Sequence, residues 1–151
     1  MKQLYTIGYE GQTLEVFLAK LADSAIHTLV DVRELPLSRK RGFSKRALDA
    51  ALAARGIEYV HVPALGCPKP IRDRYRSDGD WARYTRAFDA YLSRQGDAVE
   101  ALAKLSRTTT ACLMCFEADF TRCHRSIVAN AVTATGGPTV VHLELGQGGR
   151  D

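Results

Sequence analysis

The stretch from Thr110 to Glu117, TACLMCFE, is apolar at nearly every position and runs straight into the polar segment Ala118 to Arg125, ADFTRCHR. An unbroken apolar run, lacking the alternation of a strand with one face in water, is what a strand covered on both faces requires. Such strands belong to parallel sheets layered between helices, so the stretch argues for an α/β protein. The adjoining segment fits a helix from about Cys123, with Ile127, Val128, Ala131 and Val132 on one stripe and Gly136-Gly137 as its stop.

Elsewhere in the chain the same alternation of strand and helix recurs. Leu4 to Tyr9, LYTIGY, is a first strand, and Leu14, Phe17, Leu18 and Leu21 then take helical spacing behind a Thr13 cap. His27 to Arg33, HTLVDVR, is the second strand. The polar loop ELPLSRKRGF leads to Ser44, a good cap for a helix carrying Leu48 and Leu52 that Gly56 can end. Ile57 to Pro63, IEYVHVP, is the third strand, and the segment after it, ALGCPKPIRDRYRSDGD, reads as a charged, proline-rich irregular loop. Two helical patterns come next, one with Trp81, Tyr84, Phe88 and Tyr91 and one with Val99, Leu102 and Leu105; Thr139 to Leu145 is the last strand.

Five strands joined by helical crossovers predict a three-layer α/β/α fold around a mainly parallel sheet of the Rossmann or flavodoxin-like kind, with right-handed connections and the order 3-2-1-4-5. The 151 residues and 46% hydrophobic content suit one domain, set at residues 1–146 with a frayed tail at 147–151. In such a sheet ligands bind at the carboxyl ends of the strands, here at the switch point between strands one and four. The loops Gly8 to Gly11, Arg33 to Phe43, Leu65 to Arg76 and Glu117 to Arg125 are therefore expected to meet.

Charge points to the same edge. The net charge is only +4, yet Arg33, Arg39, Lys40, Arg41, Lys45 and Arg46 stand against Glu34 alone, and Lys69, Arg72, Arg74 and Arg76 against Asp73 alone. The remainder of the chain is acidic, so positive charge is concentrated where an anionic partner would bind. No apolar run is long enough to span a bilayer and the N-terminus lacks signal-peptide character, so no membrane partner and a cytosolic location are expected. The four cysteines, three of them bunched, read as free thiols rather than a secreted disulfide framework.

Within Cys112 to Arg125 the strand pleat separates the thiols. Cys112 and Cys115 are an odd number of residues apart, so they face opposite sides of the sheet and cannot chelate one ion; Cys112 reads as core. A metal site from Cys115, Cys123 and His124 stays open as an alternative, although the spacing matches no common zinc module. The other reading is a thiol beside an anion pocket: Cys123, His124 and Arg125 begin a helix whose backbone N–H groups favour negative charge and a thiolate, and Arg122 and Arg125 offer forked donors. Glu117 serves either as a proton carrier or as a partner of the helix dipole, and His124 either as an acid-base group or as a satisfied cap. In DVRELPLSRKRGF, Asp31 and Arg33 share a strand face, so Asp31 can brace an arginine or accept a proton while Arg33 reaches an anion; Ser38 and Arg39 add a hydroxyl and a second fork. A merely solvated basic loop is the plain alternative.

Four ordered motifs, TIGYEG at Thr6 to Gly11, LVDVRELPLSRKRGFSK at Leu29 to Lys45, GIEYVHVPALG at Gly56 to Gly66 and CFEADFTRCHR at Cys115 to Arg125, resemble the family of domains of unknown function numbered 488. The resemblance implies a compact α/β protein with Asp31, Arg33, Pro36, Ser38, Arg39, Cys115, Glu117, Cys123, His124 and Arg125 on motif positions. It supplies no established reaction, and the cofactor stays unassigned. Cys67 stands where the family pattern usually has a glycine, which removes it from any shared chemistry.

The expectation is an enzyme with a phosphate pocket acting on nucleic acid or a nucleotide-like substrate. Arg33, Ser38, Arg39, Arg122 and Arg125 hold the anion, and Cys123, Cys115, His124, Glu117 and Asp31 carry the chemistry. Phe43, Tyr75 and Trp81 could stack bases. A non-catalytic nucleic-acid-binding or adaptor module and the metal-binding protein are the alternatives.

Overall fold

In the computed structural model, which describes residues 3–145, five parallel strands form one sheet: β1 (Leu4–Gly8), β2 (Thr28–Asp31), β3 (Glu58–His61), β4 (Ala111–Cys115) and β5 (Val140–His142). Six α-helices connect them: α1 (Leu14–Asp23), α2 (Lys45–Ala53), α3 (Lys69–Asp78), α4 (Trp81–Leu92), α5 (Gly96–Thr108) and α6 (His124–Ala134). The three-layer class is the one expected. The order along the sheet is β3-β2-β4-β1-β5, with β2 and β1 hydrogen-bonded to either side of β4, so β4 and β1 stand exchanged relative to 3-2-1-4-5. Burial accounts for the exchange: every residue of β4 is buried, while the outermost strands β3 and β5 contain no buried residue. The strand with the most apolar surface takes the centre, where both its faces and both its edges are covered. Gly146 and the tail 147–151 lie outside the described residues.

Alternate residues of the strands feed two cores. On one face Ile7, Leu29, Cys112 and Met114 pack with Phe17 and Leu21 of α1 and Leu48 and Leu52 of α2. On the other Leu4, Val30, Leu113 and Cys115 pack with Phe88 of α4, Leu102 of α5 and Val128 and Val132 of α6. Cys112 and Cys115 thus face opposite layers, as the pleat requires. Adjacent strands β1 and β4 send their succeeding helices to opposite faces, which opens the crevice between them at their carboxyl ends.

Two local features depart from the sequence reading. Lys69–Asp78, expected to be irregular, is helix α3. Pro68 and Pro70 sit at its cap and first turn, where no intrahelical N–H is needed, and Lys69–Asp73 and Arg74–Asp78 pair at i,i+4. Gly79, with φ of 62°, closes it. Ser44 stands at the α2 cap, but its hydroxyl accepts from the Ser38 N–H and donates to the Ser38 carbonyl, so it folds the basic loop instead of capping the helix. Among the described residues no helix is long and apolar enough to cross a membrane.

Two glycines allow loops to close over the sheet edge. A Cβ at Gly8 would overlap the Glu117 carbonyl, and one at Gly66 would overlap the backbone of Arg33 and Glu34. Overpacking of this kind costs roughly 1–3 kcal/mol, so Gly8→Ala and Gly66→Ala are expected to lower the urea unfolding free energy by about that amount. Gly96→Ala, whose added methyl meets nothing, should leave it unchanged or raised. Equal behaviour of all three variants would contradict the packing described.

Candidate functional site

The loop after β4 is shaped by short-range hydrogen bonds. Asp119 accepts from the Thr121 N–H at 3.0 Å and from its hydroxyl at 2.6 Å, turning the chain at Phe120–Arg122. Cys123 then caps α6 with its sulfur, which accepts the Arg125 N–H at 3.5 Å. The sulfur therefore sits at the positive end of an 11-residue helix.

Arg125, expected to face an anion, turns inward instead. It is fully buried, its Nε donates to the Thr6 hydroxyl of β1 at 3.0 Å, and its Nη1 donates to Cys115 Sγ at 3.1 Å and to the Glu117 carbonyl. The Thr6 hydroxyl is also hydrogen-bonded to His142 Nδ1, at 2.6 Å. Arg125 does not border the cavity at this edge; it ties β1, β4 and the loop after β4 together.

Cys115 and Cys123 are both nearly inaccessible and their sulfurs are in contact. The two sulfurs stand at bonding contact, so this pair departs from the expectation of free thiols, which Cys67 and Cys112 meet; the Cα atoms are nonetheless 7.7 Å apart, wider than the span of about 4.4–6.8 Å of an ordinary disulfide. His124 completes the cluster. Its Nε2 lies 2.6 Å from the Val32 carbonyl, which fixes the proton on that nitrogen and turns Nδ1 toward Cys123 Sγ at 3.9 Å. Burial, with the Arg125 charge nearby, holds its pKa down to about 4, so the ring is neutral at pH 7. The ligand atoms of Cys115, Cys123 and His124 all lie within 4.8 Å of one another.

Above this cluster opens a cavity of about 700 Å³. Cys115 and His124 border it; Cys123, its sulfur turned to the helix end, does not. Glu117 stands in the cavity with Oε1 3.6 Å from Cys115 Sγ, and crowding by protein raises its carboxyl above the ordinary range. Arg33, Ser38, Arg39 and Arg122 line the walls. Asp31 is fully buried and off the wall: its oxygens accept from Arg33 Nε at 2.9 Å, Arg33 Nη2 at 2.7 Å and Tyr59 Oη at 2.6 Å, which leaves it bracing Arg33. Burial works against the Arg33 charge, but the bidentate Asp31 pair and the Tyr9 hydroxyl outweigh it and raise its pKa. Ser38 Oγ accepts the Lys40 N–H, so the hydroxyl also shapes its own loop.

Of the ring residues expected to stack bases, Tyr75 lines the cavity, Trp81 lies against Tyr84 beneath the Arg122 guanidinium, and Phe43 is fully buried between Tyr9 and Phe17. A base cannot reach Phe43. The cavity also gathers Tyr9, Glu34, Arg72 and Arg76, which lie on the loops expected to meet but which the sequence pattern does not single out as site residues. Arg72, Tyr75 and Arg76 have i, i+3, i+4 spacing, a helical signal that the flanking prolines obscure. Cys67 borders the cavity too, but burial pushes its thiol up to about 11, which leaves it protonated at neutral pH.

A parallel α/β sheet with an arginine-lined cavity over a Cys-Cys-His floor defines the class of this protein. The chain belongs to the family described as Domain of unknown function DUF488, whose model matches residues 13–132. No curated protein and no solved structure gives a significant match.

The buried Arg125 yields a direct test. Removing the guanidinium in Arg125→Met strands buried acceptors on β1, β4 and the loop, at a cost of about 3 kcal/mol. Urea unfolding should register that loss, with Arg125→Lys restoring less than half, since one ammonium cannot span the same acceptors. A loss below about 0.5 kcal/mol would show that the network contributes little.

Proposed function

We propose that the protein is an enzyme that binds a phosphate-bearing substrate, a nucleic acid or a nucleotide, in the cavity at the carboxyl edge of the sheet. The reacting end of that substrate lies over Cys115 and His124. The carrying observation is one cavity in which Arg33, Arg39 and Arg122 stand above a buried cluster of two sulfurs and an imidazole.

The arginines divide the work by how firmly each is held. Arg33 is locked by Asp31 and Tyr9 and offers its remaining N–H groups in a fixed direction, which suits an anion bound close to the floor. Arg72 pairs with Glu34 at 3.0 Å, so its charge is partly satisfied. Arg39 is exposed on its loop and Arg122 lies over the Trp81 ring, and both reach outward to where a longer phosphate backbone would run. The adaptor reading shares these arginines but assigns no work to the buried floor.

Fluorescence anisotropy with a labelled single-stranded oligonucleotide tests the reading. Affinity should fall as salt rises, and Arg39→Ala and Arg122→Ala should each reduce the salt slope by about one. Affinity indifferent to both substitutions would contradict the anion assignment. For catalysis, mass spectrometry of the bound nucleic acid or nucleotide should reveal a product with the wild type and none with Cys115→Ser at unchanged affinity. A ligand always recovered intact would leave only the adaptor.

A further inference from the structure

Two sulfurs and an imidazole nitrogen that converge in a buried cluster raise the question of what they converge on. Cys123 Sγ and His124 Nδ1 are 3.9 Å apart. Two ligands at about 2.3 Å and 2.1 Å from one tetrahedral ion would be separated by about 3.6 Å, so the observed spacing is close to that of a shared ion. Binding it takes the two sulfurs as separate thiols, the form that a thiol reductant supplies, with the side chains rotated apart.

The surroundings of each donor atom fit as well. A metal-bound histidine gives its other ring nitrogen to a carbonyl or carboxylate, and His124 Nε2 is held by the Val32 carbonyl at 2.6 Å. Bound thiolates are steadied by N–H donors, and here Cys115 Sγ receives Arg125 Nη1 at 3.1 Å while Cys123 Sγ receives the Arg125 backbone N–H. Each donor thus already has an outer partner, supplied by Val32 on one side and by the single residue Arg125 on the other. The burial of both sulfurs argues in the same direction, because a nucleophile must reach its substrate whereas a ligand need only reach its ion.

We infer that Cys115, Cys123 and His124 bind one divalent ion of the zinc class, with its remaining position open to the cavity. Two sulfurs and one nitrogen select a borderline-soft ion over magnesium or calcium, and three protein ligands leave room for water or a substrate oxygen. The two thiol protons leave to solvent as the ion binds. The two thiolates cancel the charge of the ion, so it is the open coordination position that takes an oxygen from the phosphate end of the substrate. That last role rests on the substrate reading proposed for the same cavity; the binding of the ion itself stands on the ligand geometry alone.

The test uses full-length protein purified without an affinity tag, stripped with chelator under reducing conditions and reloaded with Zn²⁺. One equivalent is expected, and X-ray absorption should show two sulfurs at about 2.3 Å and nitrogen at about 2.0–2.1 Å. Cys115→Ser and Cys123→Ser should each weaken binding at least tenfold or so, while Cys112→Ser, on the opposite face, retains it. A folded wild type that binds less than about half an equivalent, or a shell of oxygen and nitrogen only, overturns the inference. Anisotropy on the stripped protein separates the two proposals. Oligonucleotide binding without zinc uptake overturns the metal site alone, and zinc uptake without oligonucleotide affinity supports the metal site while overturning the substrate reading.

Discussion

A guanidinium buried in protein governs the architecture of this edge of the sheet. Arg125 is the bulkiest fully buried side chain among the described residues, and burial of a cation is tolerated only when its donors are met and its charge is balanced. The donors reach a threonine hydroxyl, a sulfur and two carbonyls, drawn from β1, β4 and the loop after β4. None of these is a carboxylate, so the compensating negative charge comes from the nearby Glu117, Asp119 and Glu144 and not from a directly bonded partner. The interaction that holds the strands together is also the one that sets a donor against the Cys115 sulfur.

A second buried pair plays the matching part across the crevice. Asp31 and Arg33 are bonded in two places, and Tyr59 and Tyr9 close the network on either side. Both networks lock an arginine: Arg33 on the cavity wall, and Arg125 behind it, where it holds Cys115 and positions Cys123 through its own backbone N–H. Rigid support of this kind reduces the reorganisation that binding would otherwise require. Gly8 and Gly66 matter for the same reason, since they let the backbone of the loops approach closely enough for these bonds to form.

Periodicity carries most of the fold into view. The strand-helix alternation, the Thr13 cap, the opposed faces of Cys112 and Cys115 and the meeting of the four loops are all consequences of local pattern, and local pattern survives folding. Strand order is different in kind. It depends on which strand has the most surface to bury relative to the others, so TACLMCFE shows by itself that it is covered on both faces, and takes the centre only by comparison with its neighbours. Lys69–Asp78 is obscured because proline reads as a breaker where it serves as a helix start. At the site, residue types and loops are legible but direction is not. Arg125 and Arg122 are alike in sequence, yet one turns into the core and the other toward the cavity, and only the path of the loop around Asp119 decides which.

If the arginine wall and the Cys-Cys-His floor act on one anion, that anion has a single place to sit. Anomalous diffraction from crystals soaked in tungstate, a heavy tetrahedral oxyanion, locates it. A tungsten peak is expected inside the cavity, within hydrogen-bond reach of Arg33 or Arg122 and above His124. Tungstate confined to the outer surface of α3 or α2, with the cavity empty, would contradict a shared anion site.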